Sequence, residues 1–438
     1  MFDRPSGFLA STCLALELSV VLPARAEAPP PPSEVESTPV ISKVTLAEAL
    51  RRSLARNPTV IVALEEIRRA EALVREARAP SMPTITGNAI YTRLDADRKF
   101  GSSVIAHQDQ VSANVTLTVP LIVPQKWAAW SHASANADVT RISAEDLRRQ
   151  TAVAVARAFL TVIAQRHVVD VNEHALKTAR AHFDYAHTRL LGGIGNRVDD
   201  VRAEQQVATN ESTLEASYAS LARAREALGV LLGDEGPIDA VEDIRLPAAP
   251  PFATALDDAT RRRPDVAAGK ARFDAAEQVR KDSYTDYLPF LVGTVQPFYQ
   301  NPESLTQPKT GWQAQLLLTI PFYDGGLRYG LARERESLST EARAQYEGIV
   351  RQARSDVRIA FESVRRAEAA LAAAVNAARL ARSAMELATI AYQAGATTNL
   401  EVIDAERAAH AADTAAAIAE DQAGQARIDL LAASGRFP

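Results

Sequence analysis

The sequence predicts a mainly α-helical chain with a β-barrel part, built by tandem duplication of a unit that joins a long helical hairpin to a pair of strands. Three observations predict it. Most features after residue 45 occur twice, the helical stretches run far beyond ordinary globular length, and two segments of about ten residues alternate apolar with polar side chains.

The duplication is read directly. "EALRRSLARNP" (48–58) matches "TALDDATRRRP" (254–264), and in each copy a second proline follows 25 residues later, Pro58 to Pro83 and Pro264 to Pro289. Ala70-Glu71 recurs as Ala276-Glu277, "VSANVTLTVPL" (111–121) as "WQAQLLLTIPF" (312–322), and "LGGIGNRVDDVRAE" (191–204) as "QAGATTNLEVIDAE" (393–406). The offset stays between 201 and 206. Repeat families of small units have periods of about 20 to 50 residues, so each copy here is a whole structural half. The halves are expected at 45–235 and 252–438, joined by a linker at 236–251 within "DEGPIDAVEDIRLPAAPP".

The segment before residue 45 reads as a secretory signal over 1–26 followed by a Pro-rich stretch, 27–44. Arg4 is a thin basic region, Phe8–Leu22 a mostly apolar core interrupted by Glu17, and Ala24-Arg25-Ala26 a cleavage site. Cys13, the only cysteine, lies inside this signal, and Ala10-Ser11-Thr12 before it suits a lipoprotein signal poorly, so lipidation is not expected. Cleavage would leave a chain without thiols or disulfides. The formal charge of −5 over 438 residues argues against a nucleic-acid partner. No later apolar run of about 20 residues is evident, so membrane crossing on apolar helices is not expected.

Each half should run helix, strand, loop, strand, very long helix, turn, helix. In the first half the helices fall near 45–78, 124–191 and 197–232, and in the second near 252–285, 325–394 and 398–433. The longest pair would each reach about 100 Å. Helices of that length need support along their sides, as in a coiled coil or helical barrel, and Ala-rich faces allow close approach. Pairs such as Glu362–Arg366 keep another face in water.

The strands are expected at 84–94, 111–121, 290–299 and 312–322. Val111, Ala113, Val115, Leu117, Val119 and Leu121 fall on one face, against Ser112, Asn114, Thr116 and Thr118. Trp312, Ala314, Leu316, Leu318, Ile320 and Phe322 oppose Gln313, Gln315 and Thr319. Such a strand crosses a bilayer when tilted, and an uncharged polar face suits a water-filled lumen. Tyr91, Phe298 and Tyr299 are candidates for an aromatic girdle, and the polar loops 95–109 and 300–310 would join the strands of each pair. Alternation alone favours two soluble hairpins, each with one face on a core; the signal and the long flanking helices reverse that balance toward the membrane. Four strands cannot close a barrel, and lipid does not tolerate an open edge. A homo-oligomer follows, and three copies would give about twelve strands.

The helices of each hairpin meet at a short turn. Gly193 and Gly395 suit left-handed C-caps, and Thr397, Thr398 and Asn399 are N-cap candidates. Glu401 and Asp404 lie one turn apart on one helical face. Acids in a first turn also offset the helix dipole. His167, His174 and His182 share a face, but seven residues span about 10 Å of helix, too far for one zinc ion. "GGIG" (192–195) follows a helix rather than a strand and is no nucleotide fingerprint. No nucleophile–base set is evident, so neither an enzyme nor a cofactor is expected.

The doubled openings (49–58 and 255–264), Leu288-Pro289 before a strand, "IPFYDGG" (320–326) and the doubled turn, with its acid following a hydrophobic residue after the glycine, resemble the TolC-like outer membrane efflux protein family. The resemblance covers about 45–435. It implies a homotrimer whose 12-stranded barrel spans the outer membrane, with lipid outside, and continues as a long helical barrel in the periplasm. The periplasmic end would dock an adaptor protein and an inner-membrane pump of RND, ABC or MFS class, in an efflux or type I secretion system. The chain would be a passive exit duct. The rival expectation is a periplasmic adaptor or scaffold, which would carry one hairpin within β-domains.

By the same resemblance the copy-two turn narrows the entrance. Tyr392, Glu401 and Asp404 would belong to the gate, together with Asp199, the copy-one counterpart of Glu401. Rings of carboxylates in a trimer would favour cations. Thr397 stands where the family has a latch arginine, and Arg197 is the candidate replacement, pairing with Glu401. Gly193, Val198, Gly395 and Leu400 are the candidate adaptor contacts. A second departure is "PLIVPQKW" (120–127) where copy two has "PFYDGGLR"; Pro124 can still open a helix there.

Overall fold

The computed structural model describes residues 41–241, 246–303 and 307–437. The expected signal, Cys13 and most of the Pro-rich segment lie outside the described residues. Strand β1 (Ser42–Val44) leads into helices α1 (Leu46–Arg56) and α2 (Pro58–Arg78), then β2 (Thr84–Arg93), β3 (Arg98–Phe100), β4 (Ser103–Ala106) and β5 (Asp109–Ile122). Helix α3 (Pro124–Leu191) turns into α4 (Arg197–Leu232), and β6 (Ile238–Ala240) follows. The second copy contains α5 (Phe252–Arg262), α6 (Pro264–Lys281), β7 (Phe290–Asn301), β8 (Thr310–Thr319), α7 (Leu327–Gln393) and α8 (Asn399–Ala433).

The first helix of each copy is two helices, not one. Pro58 and Pro264 each occupy the first position of the second piece, because proline lacks the N–H a continuing helix needs. At the first break Asn57 accepts from the Thr59 N–H through its side chain and donates to the Leu231 carbonyl, 2.9 Å each, which seats the break on α4.

Strands β2, β5, β7 and β8 form one antiparallel sheet in that order. Its register extends the alternation across all four strands. Ile85, Gly87, Ala89 and Tyr91 pair with Leu117, Val115, Ala113 and Val111. The same face continues through Tyr299, Val295 and Gly293 to Ala314 and Leu316. On the opposite face Asn88 donates to Asn114, and Gln313 donates to Gln296 at 2.6 Å. The apolar face is open: Ile85, Trp312 and Leu316 are each more than 70% exposed. The outer edges of β2 and β8 have no strand partner among the described residues. The β5–β7 ladder lapses between Asn114–Phe298 and Leu117–Val295, where Pro297 has no N–H to give.

Three sequence expectations are corrected here. Phe298 does not join Tyr91 and Tyr299: strand alternation puts it on the polar face, where its ring covers Gly311. The loop at 95–109 contains the short hairpin β3–β4. The linker at 236–251 is not merely a connection, because the buried strand β6 pairs in parallel with β1. Asp239 in β6 is buried and accepts from Arg166 of α3 and, at 3.0 Å, from Arg225 of α4, so both helices of the first hairpin hold the strand.

Helices α3 and α7 have 68 and 67 residues, about 100 Å each. Each packs against the shorter helix that follows it, and α3 also lies along α8, joining the copies at a seam. The core of copy one gathers Val155, Phe159, Val162, Leu228 and Leu232 beneath β1 and β6. That of copy two gathers Ala255, Ala259, Val357 and Leu430, and a third cluster bridges α3 to α8 through Ala156, Ile428 and Leu431. Contrary to the sequence expectation, α3 does contain an 18-residue window of mean hydropathy 1.4; half of it is buried in the structure, the condition of a core helix.

The two strand-to-helix corners differ as their sequences do. In copy one α3 starts at Pro124, two residues after β5 ends. In copy two Asp324 accepts from the N–H groups of Gly326 and Arg328 and pairs with the Arg328 guanidinium, which lies over the Tyr287 ring.

Candidate functional site

At the far end of each hairpin the chain reverses through the same local geometry. Helix α3 ends at Leu191, and Gly193 takes φ +73° so that the Ile194 and Gly195 N–H groups return to the Arg189 carbonyl at 3.1 and 2.9 Å. Helix α7 ends at Gln393, Gly395 takes the same φ, and the Ala396 N–H returns to Ala391 at 2.8 Å. The φ value explains glycine at both positions. Asn196 caps α4, accepting from the Val198 N–H.

Thr398 holds the matching N-cap position on α8 without a side-chain bond, and Asn399 has a different task. Its amide nitrogen donates to the Asp199 carbonyl of the copy-one turn at 3.1 Å, and its amide oxygen faces His182 Nε2 of α3. With the amide so oriented, His182 donates through Nε2. Its Nδ1 lies 3.7 Å from the carboxylate of Glu406 on α8. His182, Asn399 and Glu406 are all buried. Burial pushes the Glu406 carboxyl above its ordinary range, opposed by the charge of His182. This polar lock joins the turns of the two copies.

The lock continues along α8, where it faces α3 and α4. His410 Nε2 bonds Asn172 at 2.6 Å, and Arg407 donates to Gln206, which donates to Asn210. Burial pushes His410 below its ordinary value, countered in part by Asp413. A cavity of about 110 Å³ lies among these helices, lined by His174, Asn210, Arg382, Glu406, His410 and Asp413. The three α3 histidines singled out from the sequence meet different surroundings: His167 is 3.8 Å from Glu420, His174 lines the cavity, and His182 serves the lock.

The residues singled out from the sequence divide into three groups. Tyr392 is buried at the end of α7, its ring 5.6 Å from His182 and 5.8 Å from Tyr185. Its hydroxyl is pushed to a higher pKa by burial and by the nearby charge of Asp199. Glu401 and Asp404 are exposed on the first turns of α8, with Thr397 donating to Glu401. Gly193, Val198, Gly395 and Leu400 are exposed at the turns, together with the apolar Leu191, Ile194, Leu387 and Ile390.

Arg197 does not pair with Glu401 within the chain. It reaches the buried Asp200 at 3.3 Å, three residues along its own helix, and His187 contacts the same carboxylate at 2.9 Å. A buried carboxylate needs compensation, and the nearest cation supplies it. Sequence reading passed over Asp200, although the signal was present: the copy-two counterpart is Val402. It also passed over Arg189, which shares one stripe of α3 with His182 and Tyr185 at spacings of three and four residues.

The model of the outer membrane efflux protein family matches residues 49–234 and 255–436, one match for each copy. The fusaric acid resistance protein FusA of Burkholderia cepacia is 27% identical over 279 residues, 59% of this chain and 52% of that protein. Outer membrane protein OprJ of Pseudomonas aeruginosa is 25% identical over 404 residues, 87% of this chain and 82% of that protein. The CmeC outer membrane channel of Campylobacter jejuni superposes with a TM-score of 0.79 at 13% identity, covering 90% of this chain and 86% of that one, which establishes a shared fold.

Proposed function

We propose that this chain, which belongs to the outer membrane efflux protein family, is a passive exit duct that works as a homotrimer. It is an outer membrane protein extending into the periplasm. The observation that carries the duct reading is the four-stranded sheet with one continuous apolar face and two free edges, running into hairpins about 100 Å long. A free edge in lipid leaves backbone N–H and C=O groups unpaired, at several kcal/mol each. Three copies joined edge to edge remove every free edge and form a barrel of about twelve strands. The apolar face meets lipid and the Asn–Gln face lines water.

The hairpin turns form the periplasmic entrance. Tyr392 with Asp199 narrows it, while the exposed Glu401 and Asp404 of three protomers ring the pore and favour cations. The apolar side chains around Gly193, Val198, Gly395 and Leu400 meet a periplasmic adaptor, and an inner-membrane pump supplies the energy. No covalent chemistry is assigned to the chain. An adaptor built on a single hairpin is disfavoured, because the chain has two hairpins with a strand pair in each copy.

Fractionation tests this reading. The protein should sediment with outer membranes and migrate on gels as a heat-modifiable oligomer, and a soluble periplasmic product would contradict it. A deletion strain challenged with drugs, metals and secreted proteins would identify the cargo.

A further inference from the structure

In the resemblance drawn from the sequence, the latch combines the tyrosine at 392 with an arginine at 397, reaching an acid of the other copy. Position 397 is threonine here, and its hydroxyl is engaged by Glu401 of the same turn. The Tyr392 hydroxyl has no hydrogen-bond partner among the described residues. The ring, however, is enclosed. His182 lies 5.6 Å from it, Tyr185 meets it edge-on at 5.8 Å, and the Arg189 guanidinium lies over it at 5.2 Å. All three come from one stripe of α3, so the contact crosses from copy one to copy two. The same guanidinium is 5.8 Å from the Tyr185 ring.

We propose that Arg189 is the positioning residue of this entrance: it holds the ring of Tyr392, and through it the end of α7, against α3. The missing cation is supplied by the opposite copy and acts on the π-face instead of the hydroxyl. A guanidinium over an aromatic ring is attracted by the negative face of the ring quadrupole, and partial removal from water strengthens that attraction. The position of Arg189 also couples the latch to the turn, because its carbonyl accepts the Ile194 and Gly195 N–H groups. Releasing the guanidinium frees the end of α7, while the carbonyl bonds that reverse α3 belong to the backbone and stay in place.

The proposal rests on the duct reading, and the test separates the two. Full-length protein is reconstituted in planar bilayers, and the ratio of open to closed channels is measured. Arg189→Met should raise that ratio about fivefold per protomer, the effect of one cation–π contact at a half-exposed site. Arg189→Gln should do the same and serves if the methionine variant fails to assemble. Arg189→Lys should restore most of the closure. Tyr392→Phe keeps the ring and should behave as wild type, whereas Tyr392→Leu should open the channel, with no further opening when Arg189→Met is added. Two results would overturn the proposal: Tyr392→Phe opening as far as Tyr392→Leu, which means a hydroxyl latch, or an Arg189→Met effect undiminished in the Tyr392→Leu background, which means Arg189 serves only the dipole of α3. If the wild type conducts and every variant equals it, this inference alone fails; a wild type that never conducts sinks the duct reading itself.

Discussion

Replacing His182 probes the lock between the two turns. The imidazole donates to Asn399 and lies 3.7 Å from Glu406. At that separation a full ion pair has a gross attraction of about 4 kcal/mol at an effective dielectric of 20, most of which offsets the cost of burying both groups. His182→Ala leaves Glu406 without its counter-charge and Asn399 without its donor, so local closing should weaken by about 3 kcal/mol. His182→Gln keeps an amide donor and removes the charge, and should cost about 1–2 kcal/mol. Glu406→Gln should recover part of the loss in either background, with a coupling of about 1–2 kcal/mol. Hydrogen exchange of the amides in the last turn of α7 and the first turns of α8 reads the opening free energy directly. If both His182 variants exchange within about 0.5 kcal/mol of wild type, or if their effects add to that of Glu406→Gln without coupling, the buried pair does not hold the turns together.

Three further outcomes follow from the same geometry. Gly395→Ala should cost about 1 kcal/mol from its left-handed backbone alone, since nothing lies near the added Cβ; Gly195→Ala should cost more, because its Cβ would stand 2.6 Å from the Leu190 nitrogen, and thermal melts of the two variants give the order. His410 is held below its ordinary value of 6.5 by burial, so the stability it contributes as a neutral ring is full above that value and lost as the pH falls through its folded pKa. Melting of the periplasmic helices between pH 7 and 5 should therefore show an acid-side loss that His410→Gln diminishes, against an opposite slope from Glu406, whose raised pKa penalises the ionised form at neutral pH. Burial pushes the Asp239 carboxyl up, but Arg166 and Arg225 outweigh it and hold the group below the usual range. Asp239→Ala leaves two guanidinium groups facing each other and should destabilise the protein by about 3 kcal/mol, read as a lower temperature of heat modification.

How far the sequence revealed this molecule depends on the range of the forces involved. The strand faces were legible because alternation is a local property, and pairing merely laid four compatible faces side by side. Gly193 and Gly395 were legible because a left-handed turn selects glycine whatever surrounds it. Asn399 was not: as a sequence it fits an N-cap, and its bond to Asp199 depends on α8 lying beside the copy-one turn, 200 residues away. Arg197 was paired with Glu401 as the replacement for the cation missing at Thr397, yet the buried Asp200 one turn along offered the closer acid. β1 and β6 are three residues each, too short to show a period, and their pairing and the hold of Arg166 and Arg225 on Asp239 join residues far apart in the sequence. Phe298 was grouped with its aromatic neighbours by residue type, although parity along β7 assigns it to the other face.

The central claim is that the free edges of β2 and β8 meet between copies and close a ring of three. Asn88→Cys in β2 and Gln315→Cys in β8 place exposed thiols on the polar face near those edges. The mature sequence is expected to contain no other cysteine. Crosslinking of the double variant in outer membranes, with a thiol reagent long enough to span two or three strand rows, tests the closure directly. Closed rings predict that the products end at a covalent trimer. Monomers alone, or a ladder that continues past three copies, would contradict it.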